Sequence, residues 1–177
     1  MSSRKGLSIY ELVLLPILGV LMFVSKLMME FLPNIHLVGM LIMVYTIVYR
    51  WKALIPIYIY VFLLLFISGF SPWWVPNLYT WAVLWAVTML LPRRMPRWLC
   101  CIVYPAVCAL YGLSYGVLYA PAQALMFGLN WQGMVTWIIT GLTFDILHFF
   151  GNLLAGVLIV PMVTLLRRLN RIPNHTV

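Results

Sequence analysis

The sequence predicts an all-α membrane protein: a compact bundle of six transmembrane helices, both termini cytoplasmic. Three observations predict it. Hydrophobic residues make up 65% of the chain and charged ones 8%, with a mean hydropathy of +1.05, which is too little polar surface for a soluble domain. Nearly the whole length divides into apolar stretches close to the ~20 residues that cross a bilayer. Ten of the eleven Lys and Arg residues fall in alternate connections. These are Arg4 and Lys5; Arg50 and Lys52; Arg93, Arg94 and Arg97; and Arg167, Arg168 and Arg171. Six crossings put all four groups on one side, and positive residues mark the cytoplasm. The net charge of +8 then follows from topology and the anionic bilayer surface, and no nucleic acid partner is implied.

The elements follow in order. A first helix is predicted from Ile9 to Phe31, stopped by Leu32-Pro33 because the residue before a proline avoids helical geometry. Asn34-Ile35-His36 turns the chain into a second helix ending near Tyr49, and Arg50-Trp51-Lys52 makes a tight basic connection. A third helix runs from Ala53 to Gly69, with Pro56 tolerated in its first turn. Residues Phe70 to Asn77 form a loop rich in proline and tryptophan. A fourth helix covers Leu78 to Leu91 and a fifth Trp98 to Tyr119. A longer connection follows through Pro121, Asn130, Trp131 and Gln132, and a sixth helix runs from about Met134 to Leu169. The whole chain, 1–177, is expected to be one integral membrane domain. No cleavable leader is expected, since the first apolar stretch runs on to Lys26 and Glu30. Cys100, Cys101 and Cys108 sit near the basic end of one helix. An odd count in that setting argues against a disulfide framework or a zinc site, and no cofactor is expected.

Within the sixth helix the stretch Gly141 to Asn152 stands apart. Asp145 is one of only three acidic residues, set in an apolar background. Asp145, His148 and Asn152 fall within about 60° of one another on a helix, with Gly141 on the same side. A carboxylate, an imidazole and an amide on one stripe are expensive to expose to lipid, so they should face a protein interior or a polar cavity. Polar glue between helices and a substrate site both meet that demand.

The loops on the outer side have their own chemistry. They hold Asn34 and His36, Trp73, Trp74 and Asn77, and Asn130, Trp131 and Gln132. Interfacial belts also collect tryptophan, but here amides and an imidazole accompany the rings in all three loops. Flat aromatic walls with a few placed hydrogen-bonding groups suit a small heterocycle. Direct contact is expected from Trp73, Trp74 and Asn130, with Asp145 lying deeper, about 16 Å below Met134. Lys26 and Glu30, one turn apart near the outer end of the first helix, can pair with each other; Lys26 can also snorkel, neutralise Asp145 or meet an anionic substrate group.

Leu32-Pro33-Asn34-Ile35-His36 after helix one, and Phe144-Asp145-x-x-His148-x-x-Gly151-Asn152 in helix six, resemble stretches of the S components of energy-coupling factor (ECF) vitamin transporters. Size and hydropathy agree along the whole chain. The resemblance implies a subunit that binds a vitamin-like small molecule near the outer surface, through the first, third and fifth loops and the outer parts of the last three helices. It implies a transmembrane coupling subunit and two cytoplasmic ATPases as partners, and a toppling motion that releases the cargo inward. No ATPase activity is expected of this chain, which has no phosphate-binding Gly-Lys-Ser/Thr loop. S components often dock through small residues four apart on helix one. Here the small residues are Gly19 and Ser25, six apart, so docking is expected through these, through Gly19 alone or a different face, or with a specialised coupling partner.

Two rival readings come from other classes. Gly112-Leu113-Ser114-Tyr115-Gly116 fits the Gly-x-Ser-x-Gly pattern of serine hydrolases, and His148 on the next helix would be the base of a rhomboid-like intramembrane enzyme. Ser114, however, lies inside a helix, where its hydroxyl is expected to bond its own preceding turn. Gly112 and Gly116 read better as residues permitting close helix contact. A purely structural subunit of a larger complex is the third reading.

Overall fold

The structure, a computed structural model, describes residues 6–32 and 35–170. Arg4, Lys5, Asn34 and Arg171 lie outside the described residues. Every regular element among the described residues is helical.

Helix α1 (Ile9–Met28) opens with a capping box: Ser8 Oγ accepts from the Glu11 N–H, and the Glu11 carboxylate accepts from the Ser8 N–H. It ends three residues before the expected Phe31, and the turn that follows is held by short-range bonds such as Glu30 N–H to Leu27 C=O, 3.1 Å. Helix α2 (Val38–Tyr49) is buried continuously from Val38 to Thr46. It packs against most of the other helices and so forms the central post of the bundle. At Arg50 the chain takes φ +57°, ψ −124°, a conformation that non-glycine residues rarely adopt. Two bonds hold it there, Arg50 Nη2 to the Met89 carbonyl (2.9 Å) and Trp85 Nε1 to the Arg50 carbonyl (3.2 Å). A 3₁₀ turn (Arg50–Ala53) leads into α3 (Leu54–Leu63) and α4 (Leu65–Ser68). The expected Ala53–Gly69 helix is thus interrupted at Leu64.

Helix α5 (Asn77–Leu90) is followed by α6 (Arg97–Phe127), which overruns its expected end by two turns. Pro121 was expected in a connection, yet it lies within the helix. A proline interrupts a soluble helix at about 3 kcal/mol. The carbonyl that loses its helical donor is that of Val117; one residue on, the Tyr79 hydroxyl bonds the Leu118 carbonyl at 2.6 Å, and an apolar bundle tolerates such interior prolines. Gly128, at φ +64°, supplies the left-handed residue that finally ends α6. The expected sixth helix is two: α7 (Trp131–Gly156) and α8 (Ile159–Leu169). Pro161 has no N–H for the Val157 carbonyl, and the chain steps sideways there through short-range bonds.

Contacts between elements define two ends. At one, Lys52 pairs with Glu11, and the hydroxyls of Tyr10 and Tyr49 bond Asn170 at 3.3 and 3.2 Å. At the other, Trp74 Nε1 bonds the Val61 carbonyl at 2.7 Å, Gln123 Nε2 bonds the Pro72 carbonyl at 3.3 Å, and His36 meets His148. The helices therefore make six passes between a basic end and an aromatic end: α1, α2, α3 with α4, α5, α6, and α7 with α8. Among the described residues, four stretches are long and apolar enough to cross a membrane: Ile9–Met28, Val38–Ser68, Arg97–Phe127 and Trp131–Gly156. The second of these doubles back at Arg50 and so supplies two passes. Leu15, Met22, Ile42, Tyr45, Ile57 and Leu84 fill the interior, while Ile17, Phe66, Leu125 and Leu154 stand exposed, the apolar exterior that a lipid-facing bundle requires.

Candidate functional site

Helices α6 and α7 form the tightest pair in the molecule, and glycines make that approach possible. A Cβ on Gly112 would stand 2.7 Å from the His148 carbonyl and from Asn152 Nδ2, and one on Gly156 would stand 2.6 Å from Pro105 Cα. A Cβ on Gly116 would collide with the Asp145 carboxylate. On the far side, Gly39 of α2 admits Asn152 Oδ1 in the same way. Asp145, His148 and Asn152 are all buried, one face of one helix as their spacing predicts. Asp145 Oδ1 accepts from the Gly116 N–H at 3.0 Å. The carboxylate is thus held against the backbone of α6 and not against a cation.

Above the stripe lies a cavity of about 600 Å³. Helix α7 lines it with Trp137, Thr140, Gly141, Phe144, Asp145 and His148; α6 adds Tyr115, Gly116 and Tyr119; the loop before α5 adds Trp73. Its walls are near-parallel rings. Tyr119 stacks on Trp137 with planes 5° apart and centroids at 6.2 Å, and on Trp73 at 25° and 6.4 Å. The Tyr119 hydroxyl donates to the Trp73 carbonyl, fixing that loop over the site. Below, Tyr115 leans on His148 (5.0 Å), and His148 meets His36 edge to face (5.3 Å). The Nδ1 atoms of both histidines are buried without a hydrogen-bond partner. Burial, reinforced by His148 and Lys26, pushes the His36 imidazole down to about 3. It therefore stays neutral at any physiological pH.

No family model, curated protein or solved structure matches this chain. The site's own chemistry therefore carries the functional reading.

The residues picked out from sequence divide into three groups. Trp73, Asp145 and His148 line the cavity, with His36 and Asn152 packed beneath it. Trp74 and Asn77 support it from outside. Trp74 is only 6% exposed and is tied by its Nε1 to Val61. Asn77 is a junction: its amide donates to the Trp73 and Trp74 carbonyls, and its Oδ1 accepts from Trp81 Nε1 and the Tyr115 hydroxyl. The third group lies away from the cavity lining. Asn130 caps α7 through a 2.8 Å bond from the Gly133 N–H, while Trp131, Gln132 and Glu30 are exposed. Of the three residues expected to make direct contact, Trp73 lines this cavity and Trp74 and Asn130 do not, while Asp145, expected deeper, is in the lining.

For Lys26 and Gly19 the structure narrows the alternatives. Among the described residues the one ion pair is Lys52–Glu11, so Lys26 pairs with neither Asp145 nor Glu30. Gly19 is not a free docking surface, because a Cβ there would stand 2.8 Å from the Ile59 side chain and 2.9 Å from the Pro56 carbonyl of α3. Ser25 bonds the Met22 carbonyl at 2.7 Å. Ser114 does bond its preceding turn, at the Tyr111 carbonyl, 2.9 Å. Missed from sequence were Trp137, Thr140 and Phe144, and the Tyr115–Tyr119 pair. The signal was present: extending the Asp145 stripe back by helical spacing reaches Gly141 and Trp137.

Proposed function

We propose that this chain is the substrate-binding membrane subunit of an ECF-type importer for a vitamin or related micronutrient. On this reading it spans the cell membrane six times, its basic end and both termini cytoplasmic and its aromatic end outward. The cavity carries the reading. Its volume falls in the range of small-molecule sites, roughly 300–1,000 Å³, and its walls offer parallel rings to a flat molecule. The polar groups available to that molecule are the Asp145 carboxylate, the free Nδ1 of His148 and the Thr140 hydroxyl. One carboxylate and no Lys or Arg line the cavity, so the favoured substrate presents a hydrogen-bond-donating or cationic edge toward Asp145.

The chain has no nucleotide-binding loop, so transport energy is assigned to a separate coupling subunit with two cytoplasmic ATPases. Docking falls to a face other than Gly19, which α3 occupies. The hydrolase reading finds no support at Ser114, which is bonded to Tyr111 and is not part of the cavity lining.

Mass spectrometry of small molecules released from the purified chain tests this directly. A stoichiometric aromatic or heterocyclic compound, lost in Trp137→Ala, is the expected result. Its uptake should require the coupling subunit and ATPases. Specific labelling of Ser114 by a fluorophosphonate probe would overturn the assignment. Topology is checked separately, after Cys100, Cys101 and Cys108 are replaced by serine: a cysteine at Gln132 should label from outside, and one at Gly6 only after permeabilisation.

A further inference from the structure

A second cavity, of about 430 Å³, lies at the basic end. Arg50, Arg93, Arg97 and Arg167 all line it. They come from three separate stretches of chain: the turn after α2, the α5–α6 connection with the start of α6, and the last turn of α8. None of the three acidic residues lines this cavity. Glu11 is taken by Lys52, Asp145 by the Gly116 N–H, and Glu30 follows the opposite end of α1. The Arg50 Nε is buried with no acceptor, although its Nη2 is satisfied by Met89. A buried guanidinium N–H without a partner is costly, and four like charges around one cavity repel.

A cytoplasmic bias in basic residues does not demand this arrangement. Arg94 and Arg168, neighbours of two of the four and exposed like Arg93, Arg97 and Arg167, satisfy the same topological rule from outside the lining. The opposite wall of the cavity is apolar, with Ile47, Leu91, Val160 and Val163 among its residues.

We propose that this cavity binds a phosphate-bearing anion, either the headgroup of an anionic phospholipid or a free phosphate. Guanidinium forks match phosphate oxygens in pairs, and basic pockets between membrane helices hold anionic headgroups. The bound anion offsets the repulsion among the four arginines and accepts from the stranded Arg50 N–H. It clamps the α2–α3 turn, the α5–α6 connection and α8 to one another. The apolar wall favours the phospholipid, whose acyl chains would lie against it. This site is independent of the aromatic cavity and of the import reading.

The test uses the purified full chain in detergent and native mass spectrometry, with three probes: phosphatidylglycerol, phosphatidylcholine and inorganic phosphate. Saturable retention of phosphatidylglycerol over phosphatidylcholine, undiminished by inorganic phosphate, assigns the site to a lipid. Displacement by inorganic phosphate, or saturable binding of it alone, assigns it to a free phosphate. The double variant Arg93→Gln/Arg167→Gln should lose about thirtyfold in affinity for the retained probe. Arg94→Gln/Arg168→Gln, with the same change in charge, should lose less than about threefold. Equal losses in the two pairs, or no preference of the wild-type chain for either anion, overturn the proposal. The wild-type measurement decides even where the first pair fails to fold.

Discussion

Two seams in this molecule close on glycine, and they close on opposite chemistry. In the α1–α3 seam, Gly19 lets a backbone meet the Ile59 side chain and the Pro56 carbonyl. The atoms nearest that glycine are those of an apolar side chain and a backbone carbonyl, a contact of close van der Waals packing. In the α6–α7 seam, Gly112 admits the Asn152 amide beside the His148 backbone carbonyl, and Gly116 admits the Asp145 carboxylate. There the missing Cβ makes room for a polar side chain and leaves the Gly116 N–H open to receive it. The first seam builds the bundle. The second holds a carboxylate and an amide in place under a cavity, which packing alone does not require.

The largest expected effects break this contrast directly. Gly116→Ala puts a methyl where the Asp145 carboxylate lies, prising it from its N–H and leaving a buried acid without a partner. The cost should be about 3–5 kcal/mol, with loss of any co-purifying small molecule. Gly19→Ala should cost about 1–3 kcal/mol by overpacking against a rigid carbonyl, with the small molecule retained. Unfolding in detergent, scored with ligand retention by mass spectrometry, compares the two. Loss of ligand in both variants would erase the distinction between the seams.

Asp145→Asn sharpens the comparison with a smaller change. Asparagine keeps an oxygen for the Gly116 N–H, so stability should move little. Affinity for the retained compound should fall about tenfold or more, as expected for losing a charge-assisted bond. Because Lys26 does not pair with Asp145, combining the change with Lys26→Met should give additive effects within about 0.5 kcal/mol. A rescue by Lys26→Met would restore the ion pair that the structure lacks.

The polar stripe was legible because three polar residues at helical spacing in an apolar chain can face only inward. The aromatic walls were legible only in part. Trp137 shares the helical spacing of the Asp145 stripe, but with 15% aromatic residues, Tyr115 and Tyr119 look like any lipid-facing position until the partner helix is known. Within the loop after Gly69, adjacent Trp73 and Trp74 carry no periodicity to say which faces the cavity. Pro121 misled because the rule that prolines end helices is calibrated on water-exposed backbone, whereas a packed apolar bundle supplies other partners. The break at Pro161 followed the ordinary rule and was missed within a long apolar run.

The aromatic walls supply a medium-sized contrast. Trp137→Ala should weaken ligand binding by about 0.5–1.5 kcal/mol beyond the lost area, since it removes one face of a stacked pair. Trp74→Phe should instead cost about 1 kcal/mol of stability, the bond to Val61, with affinity unchanged. The readouts are ligand affinity and thermal unfolding of the same preparations. Exchange of the two outcomes would put Trp74 in the site and Trp73 and Trp137 in the frame.

The smallest effects are expected where the sequence placed a site and the structure places a cap. Trp131 is 74% exposed and first in α7, so Trp131→Ala should change stability by no more than about 0.5 kcal/mol. Gln132→Ala should do the same. Asn130→Ala should cost about 1 kcal/mol, because the Gly133 N–H loses its acceptor at the helix start. None of the three should alter ligand affinity: the α7 residues lining the cavity begin at Trp137, two helical turns beyond Asn130. The decisive measurement is affinity for the retained compound in the triple variant. A drop of tenfold or more without loss of α7 helicity would show that this connection folds over the cavity when ligand is bound. The aromatic end would then close around its ligand, and the parallel rings of Trp73, Tyr119 and Trp137 would form only part of the wall.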